Sequence, residues 1–150
     1  MKTTLTFDVT IDAPRAHVWD VMLAPNTYSQ WTAPFSEGSY YEGSWEQGDT
    51  IRFLTGDGNG AFGVVKGHQV HELISIEHHG IIRDGKEDRE SAEVKAWAPA
   101  YEDYRLMDEG EGTALQVNVD VMPDCEDFME DAFPKALLIL KQLCEGSRQE

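Results

Sequence analysis

The segment from position 68 to position 79 holds the densest group of side chains that could bind a metal ion or move protons. It contains four histidines and two glutamates: His68, His71, Glu72, Glu77, His78 and His79. Neighbouring residues of a β-strand point to opposite faces, and so do residues three positions apart. A metal site would therefore need strand pairing to bring His68, Glu72 and His78 to one side, and scattered surface histidines are the simpler interpretation. We predict no metal and no cofactor.

His78 differs from the other histidines because it follows Ile74 and Ile76 at a spacing of two residues. That spacing places it on the apolar side of the predicted strand, facing the interior. An inward histidine can hydrogen-bond a carbonyl or hydroxyl group of a ligand, or act as an acid or base near neutral pH. The alternative is a core histidine whose hydrogen bonds are satisfied within the protein.

Motifs for nucleophilic catalysis and phosphate binding are missing from the sequence. There is no Gly-x-Ser-x-Gly motif and no glycine-rich loop before a helix. Cys144 lies in an apolar helical segment, and Cys125, near a predicted helix start, has no evident histidine partner. Residues 57–60 (Asp-Gly-Asn-Gly) resemble the start of a calcium-binding loop, but its twelfth position is His68 instead of glutamate. A tight hairpin turn explains this tetrapeptide, and we predict no catalytic residue.

The first third of the chain predicts one strand followed by two helices. Apolar and polar residues alternate strictly over residues 5–11, which is typical of a strand with one wet face. Val18, Val21 and Met22 then recur at helical spacing, and the helix is expected to stop at Pro25. A short second helix is predicted over residues 26–31.

The middle of the chain predicts an antiparallel meander. Short aromatic and β-branched runs are separated by glycine-containing turns, and they predict six strands, over residues 39–41, 50–54, 61–70, 73–79, 101–107 and 114–121. The charged stretch over residues 84–95 predicts a solvated loop, with one helical turn near residues 92–97.

The last element is predicted to be a long amphipathic helix that ends near Gly146. Its apolar stripe includes Phe128, Ala132, Ala136 and Leu140. Pro134 interrupts the register, so we expect a kink or the true start of the main helix there. The order is β-α-α-β6-α. One sheet with a wet face and one long helix make a two-layer α+β domain, and a curved sheet around a helix often leaves a ligand cavity between them.

The composition limits the classes of function. The 150 residues include 28 acidic and 12 basic side chains, giving a net charge of −16, and 41% of the residues are hydrophobic. We therefore predict a single folded domain over residues 1–150. Nucleic-acid and anionic-membrane binding both need clustered Lys and Arg, and no segment approaches the roughly 20 apolar residues of a membrane-spanning helix. We predict a cytoplasmic protein with no nucleic-acid partner and no membrane insertion.

Four segments resemble a known superfamily. They are Ile11-Asp12-Ala13-Pro14, Val18-Trp19-Asp20, residues 28–34 (Tyr-Ser-Gln-Trp-Thr-Ala-Pro) and the closing helix from Phe133. Together they resemble the START-like (SRPBCC) helix-grip proteins, and most of all the branch named for activators of heat-shock-protein ATPase. The resemblance covers residues 3–145. It implies a curved antiparallel sheet wrapped around a long C-terminal helix, with a mostly hydrophobic cavity between them. Members bind lipids, sterols, polyketides or aromatic metabolites, and some are cyclases or aromatases.

A set of mainly aromatic residues from different elements is predicted to surround that cavity. Large apolar walls with a few polar tips suit an amphipathic ligand, although ordinary core packing is the alternative for each residue taken alone. The resemblance places wall positions after the second helix, on inward strand positions and on the closing helix. The predicted ligand-binding residues are Trp31, Phe35, Tyr41, Phe53, His78, Trp97, Tyr104, Phe133 and Leu137.

The function predicted from these features is binding of a small hydrophobic or amphipathic ligand, lipid-like or aromatic. One alternative is a polyketide cyclase or aromatase-like enzyme, in which His78, Tyr41 or Tyr104 would move protons. Another is a chaperone-associated interaction module that acts through the acidic surface. A homodimer could form through a sheet edge or through residues 84–97.

Overall fold

The computed structural model describes residues 2–146, which form one large antiparallel sheet and four helices. The strands are β1 (Thr3–Ile11), β2 (Tyr40–Gly43), β3 (Thr50–Leu54), β4 (Gly60–Gln69), β5 (Leu73–Arg83), β6 (Lys86–Asp88), β7 (Ala100–Glu109) and β8 (Gly112–Val121). The helices are α1 (Arg15–Leu23), α2 (Pro25–Trp31), α3 (Ala92–Trp97) and α4 (Glu126–Gly146), and a 3-10 turn (Pro123–Cys125) precedes α4. The predicted α+β class and helix-grip architecture are confirmed.

The sheet has the strand order β1-β8-β7-β5-β4-β3-β2, with β6 paired to β5 beside this path. All pairings among these strands are antiparallel, and pairs that are sequential in the chain, such as β3–β4 and β7–β8, are joined by short turns. The alternation predicted in β1 is real, because its odd-numbered residues are less exposed than the even-numbered residues between them. One face of the sheet is therefore apolar, and α4 packs with β1, α1 and α2.

The core lies between this apolar face and the helices. Ala136, Leu140 and Cys144 of α4 are fully buried, and they join Val117 and Val119 of β8 in one continuous hydrophobic cluster. The apolar stripe predicted for the closing helix is therefore the surface that holds the two layers together, since burial of apolar area is the main force available to them.

The expectation that the main helix starts at Pro134 is wrong. Helix α4 begins at Glu126 and continues through Pro134. Two acidic residues, Glu126 and Asp127, occupy its first turn, where negative charge interacts favourably with the helix dipole. Proline lacks an N–H, so it removes one backbone hydrogen bond. Pro134 lies on the exposed side of α4, where water can hydrate the freed carbonyl group.

The segment over residues 84–95 is more ordered than the predicted loop. Strand β5 continues to Arg83 and turns back through β6, and α3 follows at the predicted helical turn.

Two register shifts interrupt the β4–β5 pairing, the first between Phe62 and Gly63. No helix among residues 2–146 is both long and apolar enough to cross a lipid bilayer.

Candidate functional site

A cavity of about 300 Å³ lies between the sheet and the N-terminal half of α4. Strands β3, β4, β5, β7 and β8 supply one side of it, and α2, α3 and the start of α4 supply the rest. The structure brings six of the nine predicted binding residues to its wall: Phe35, Phe53, His78, Trp97, Tyr104 and Phe133. Their role in binding stays a prediction.

A polar cluster interrupts the apolar wall. The Nε2 atom of His78 lies 2.9 Å from Oε1 of Glu102, and the hydroxyl group of Tyr104 donates a hydrogen bond to Oε2 of the same carboxylate. Since an ionised carboxylate only accepts hydrogen bonds, Nε2 carries the proton in the His78–Glu102 contact. The imidazole ring is 4% exposed and lies between the rings of Phe53 and Trp97, with centroid distances of 5.6 and 5.5 Å.

The pairing of β5 with β7 explains how this cluster forms. Ile76 pairs with Glu102, Ile74 with Tyr104, and His78 with Ala100. Directly paired residues share a face, and so do residues two positions apart on one strand. His78, Glu102 and Tyr104 therefore project from the same face of the sheet at adjacent positions. This face is the one that borders the cavity.

Burial and charge shift three pKa values in the cluster. Desolvation alone would raise the pKa of Glu102, but the hydrogen bond and charge of His78, with the Tyr104 hydroxyl, outweigh it and leave this pKa below its ordinary value of 4.5. Burial, and then the charge of Glu102, raise the pKa values of Tyr28 and Tyr104 well above 10.0. The cluster therefore holds an ionised carboxylate between neutral tyrosines at neutral pH.

The second ring nitrogen of His78 has an unusual environment. Its Nδ1 atom is buried and has no hydrogen-bond partner, while the ring stacks on Trp97 at an interplanar angle of 25°. A buried polar atom without a partner costs about 1–3 kcal/mol. The protein therefore satisfies only one of the two ring nitrogens, and the choice between a core histidine and a ligand contact stays a prediction.

Three predicted binding residues do not line this cavity. The Trp31 indole is 2% exposed, and its N–H donates to the carbonyl of Met22 at 3.1 Å. The hydroxyl of Tyr41 donates to the carbonyl of Leu23 at 2.6 Å, which directs the ring toward the end of α1. Leu137 is 2% exposed and belongs to the hydrophobic core. Both aromatic side chains are held by hydrogen bonds that a sequence pattern does not reveal.

Sequence reasoning missed other residues of the wall. Glu102 lies two positions before Tyr104, so strand alternation places it on the same face as the predicted inward Tyr104. Tyr28 on α2 borders the cavity and contacts the ring of Phe53, with centroids 6.3 Å apart. The start of α4 and the turn before it form one rim, in which only Phe128 belongs to the predicted apolar stripe: Met122, Cys125, Phe128 and Met129.

The remaining candidate side chains do not assemble into a second site. Among residues 2–146, no group of three or more His, Cys, Asp or Glu side chains is placed to hold a metal ion. His68 lies against the carbonyl of Trp45, and His79 against Glu77. Burial raises the pKa of Cys144 to about 12. It also raises the pKa of Cys125, the reverse of the lowering that a helix start can produce.

Comparison with known proteins identifies the architecture. The sequence matches no protein-family model and no curated protein. Among solved structures, the Aha1 dimer from Colwellia psychrerythraea is similar over 95% of this chain and 96% of that one, with a TM-score of 0.72 and 14% identity. The chain has the START-like helix-grip fold. The helix-grip fold that the sequence resemblance implied is therefore confirmed.

Two further structures share the helix-grip fold. Protein MLL2253 from Mesorhizobium loti has a TM-score of 0.75 over 95% of this chain and 97% of that chain, at 12% identity. DynU16, a protein in the dynemicin biosynthetic locus, has a TM-score of 0.70 and 17% identity over 95% of this chain. This chain spans 47% of DynU16. At these identities the likeness concerns the fold alone.

Proposed function

We propose that this helix-grip protein binds a small amphipathic ligand in the cavity between the sheet and α4. The observation that carries the proposal is the wall itself, in which aromatic and aliphatic side chains surround the hydrogen-bonded cluster of His78, Glu102 and Tyr104. Sites for small molecules are mostly apolar, with a few polar groups that fix orientation. The polar end of the ligand would contact Glu102, and its apolar part would lie against Phe35 and Phe133.

The size of the cavity favours a small ligand. Its volume of about 300 Å³ lies at the lower end of the roughly 300–1,000 Å³ range of small-molecule sites. Phe133 is already packed between Phe7 and Phe35, with ring centroids 4.8 and 4.7 Å away. This wall is therefore preformed, which lowers the entropic cost of binding. A metabolite with one or two rings fits this space better than a lipid with two acyl chains.

The test is to fill the cavity and measure binding of a neutral fluorescent probe, N-phenyl-1-naphthylamine. Ala61 lines the cavity on β4, so Ala61→Phe occupies part of its volume. Ala92→Phe is the matched control, because Ala92 is exposed on α3. We expect wild type and Ala92→Phe to bind the probe and Ala61→Phe to lose binding while keeping its circular dichroism spectrum. Absence of binding to the wild type, or equal binding by all three, would contradict the proposal.

Acid–base catalysis on the bound ligand is a second candidate function, favoured by the buried His78–Glu102 pair. A carboxylate that orients an imidazole ring beside a ligand cavity is an arrangement that can accept or deliver protons. The cyclase or aromatase-like alternative would use this pair, with Tyr104 beside it. Turnover of a cyclisable polyketide analogue should then fall at least about a hundredfold in His78→Gln. Turnover that His78→Gln leaves unchanged would rule out this role.

The oligomeric state and the cellular location of the protein are also proposals. We propose a homodimer, because the Aha1 protein of Colwellia psychrerythraea was solved as a dimer. Light scattering coupled to size-exclusion chromatography would show twice the chain mass of 16.9 kDa if the proposal is correct. The cytoplasmic location expected from the sequence stays a prediction.

A further inference from the structure

The hydrogen-bonding groups around the cavity are unequally distributed between donors and acceptors. Several ring and hydroxyl donors on its wall already bind protein acceptors. His78 and Tyr104 donate to Glu102, and Trp97 donates to the carbonyl of Asp120 at 3.0 Å. The hydroxyl group of Thr32 donates to the backbone carbonyl of Tyr28, and the hydroxyl group of Ser39 donates to that of Ser36. A ligand that needs donors from the protein finds these groups occupied.

Acceptor capacity, in contrast, remains at Glu102. Its side chain is 21% exposed, on the side that borders the cavity. An ionised carboxylate has about four acceptor positions, and His78 and Tyr104 use two of them. The cavity therefore offers unused lone pairs on a group that carries negative charge.

The charged side chains that line the cavity are all acidic. Of the described residues that line it, none is Lys or Arg. Asp120 lies on the wall, but Thr4 and the backbone N–H of Tyr101 donate hydrogen bonds to its carboxylate, and Nζ of Lys2 lies 3.7 Å from its Oδ2. Strand alternation explains why the Asp120 carboxylate points away from the cavity, because Val119 and Val121 on either side of it face the interior. Glu102 is then the carboxylate directed at the ligand.

His78 does not offer a ligand a positive group that would offset the negative charge of Glu102. Its Nε2 atom is bound to Glu102, and its Nδ1 atom is buried in the wall. An anion would therefore approach Glu102 without a free imidazole donor. A cation would also lie near the aromatic rings of Phe53, Tyr28 and Trp97, and aromatic rings attract positive charge.

From these observations we infer that the cavity selects cationic ligands, specifically amphipathic amines that place an ammonium group beside Glu102 and an aromatic or aliphatic body against Phe133. This inference rests on the proposed function, since it concerns the ligand class of the same cavity. It excludes fatty acids and other carboxylates as preferred ligands. It also predicts that Glu102 is the residue that determines specificity.

The experiment compares three ligands of nearly equal shape: 2-naphthylmethylamine, 2-naphthylmethanol and 2-naphthoate. Affinities are measured by calorimetry at pH 7.5 in 150 mM NaCl, where screening reduces attraction to the overall charge of −16. We expect the amine to bind wild type about tenfold more tightly than the alcohol, as charge-assisted hydrogen bonds and cation–π contacts both favour it. The carboxylate should bind more weakly than the alcohol.

The variant Glu102→Gln tests the assignment to this residue. It should bind the amine and the alcohol with similar affinity, and alcohol binding shows that its cavity is intact. Glu111→Gln is the matched control, since it removes one negative charge from an exposed turn and should keep the tenfold preference. Should Glu102→Gln not fold, the ranking of the three ligands by wild type decides the question alone.

The possible outcomes separate the two proposals. A carboxylate that binds wild type as tightly as the amine overturns the inference, and so does an amine preference that Glu102→Gln retains. If the alcohol binds and the amine is no better, ligand binding in the cavity stands and the charge selectivity fails. If none of the three binds and the fluorescent probe does not either, both proposals fail.

Discussion

Glu102 determines the electrostatics of the cavity, and its ionisation should be visible in the stability of the protein. Its pKa in the folded state lies below the ordinary value of 4.5, so folding favours the charged form. The resulting stabilisation is present above about pH 4.5 and is lost as the pH falls through the lower, folded-state pKa. Removing the charge of Glu102 should therefore lower the free energy of unfolding at neutral pH and have little effect on it in acid.

The corresponding prediction concerns Glu102→Gln. Urea unfolding should show a smaller free energy of unfolding than wild type at pH 7, and the difference should shrink steadily below pH 4.5. The exposed variant Glu111→Gln should differ little from wild type across the same range. A Glu102→Gln difference that is equally large at pH 7 and at the lowest pH tested would refute the assigned pKa direction.

Residue-level prediction from the sequence succeeded where one strand's alternation was sufficient. His78 faces the interior as expected from Ile74 and Ile76 at spacing two, and Tyr104 faces it as the family resemblance implied. Trp31 and Tyr41 were placed on the cavity because aromatic character alone does not distinguish a wall from a packed core. Their positions depend on hydrogen bonds to the carbonyls of Met22 and Leu23, which exist only once α1 has docked.

At the level of elements, the irregular pairing of β4 with β5 shapes the site. A register shift between Phe62 and Gly63 brings Gly63 opposite His78. A Cβ atom on Gly63 would lie 1.9 Å from the carbonyl oxygen of Glu77 and 2.8 Å from Cα of His78. Both contacts are with backbone, which has no rotamer by which to move away. Glycine is therefore required here for close approach of the strands.

Gly63→Ala should accordingly destabilise the protein by about 1–3 kcal/mol or more, because a methyl group forced against a backbone must displace a strand. The control is Gly146→Ala at the end of α4, where a new Cβ meets nothing within 4 Å. Its effect should stay below about 1 kcal/mol. Urea unfolding measures both. Equal stability of Gly63→Ala and wild type would show that the two strands lie further apart than described.

Two features of the secondary structure could not be predicted from the sequence, the β5–β6 hairpin and the start of α4. The β5–β6 hairpin lies in a charged stretch, and strand pairing of its exposed residues depends on backbone hydrogen bonds rather than on an apolar pattern. Pro134 indicated a helix boundary by its general effect on backbone bonding. Burial of Ala132 and Phe133 immediately before it holds the helix together instead. Tertiary packing outweighed local preference in both places.

At the scale of the whole molecule, negative charge is far in excess of what ion pairs neutralise. There are 28 acidic and 12 basic side chains, and ion pairs such as Lys135–Asp131 and Lys95–Glu90 are exposed. Exposed pairs contribute about 0–1 kcal/mol each. The remaining carboxylates repel one another across the surface, and this repulsion is stronger in the compact folded state than in an expanded chain.

Salt should therefore stabilise the protein. The distance over which charges act falls from about 30 Å at 0.01 M ionic strength to about 8 Å at 0.15 M, so most of the repulsion disappears over that interval. We expect the melting temperature to rise between 10 and 150 mM NaCl and to level off above it. Reversing two exposed charges, in the double variant Glu72→Lys and Glu111→Lys, should raise the melting temperature at 10 mM and reduce the gain from salt. A melting temperature that falls with salt, or an identical salt response in the double variant, would mean that self-repulsion does not limit this fold.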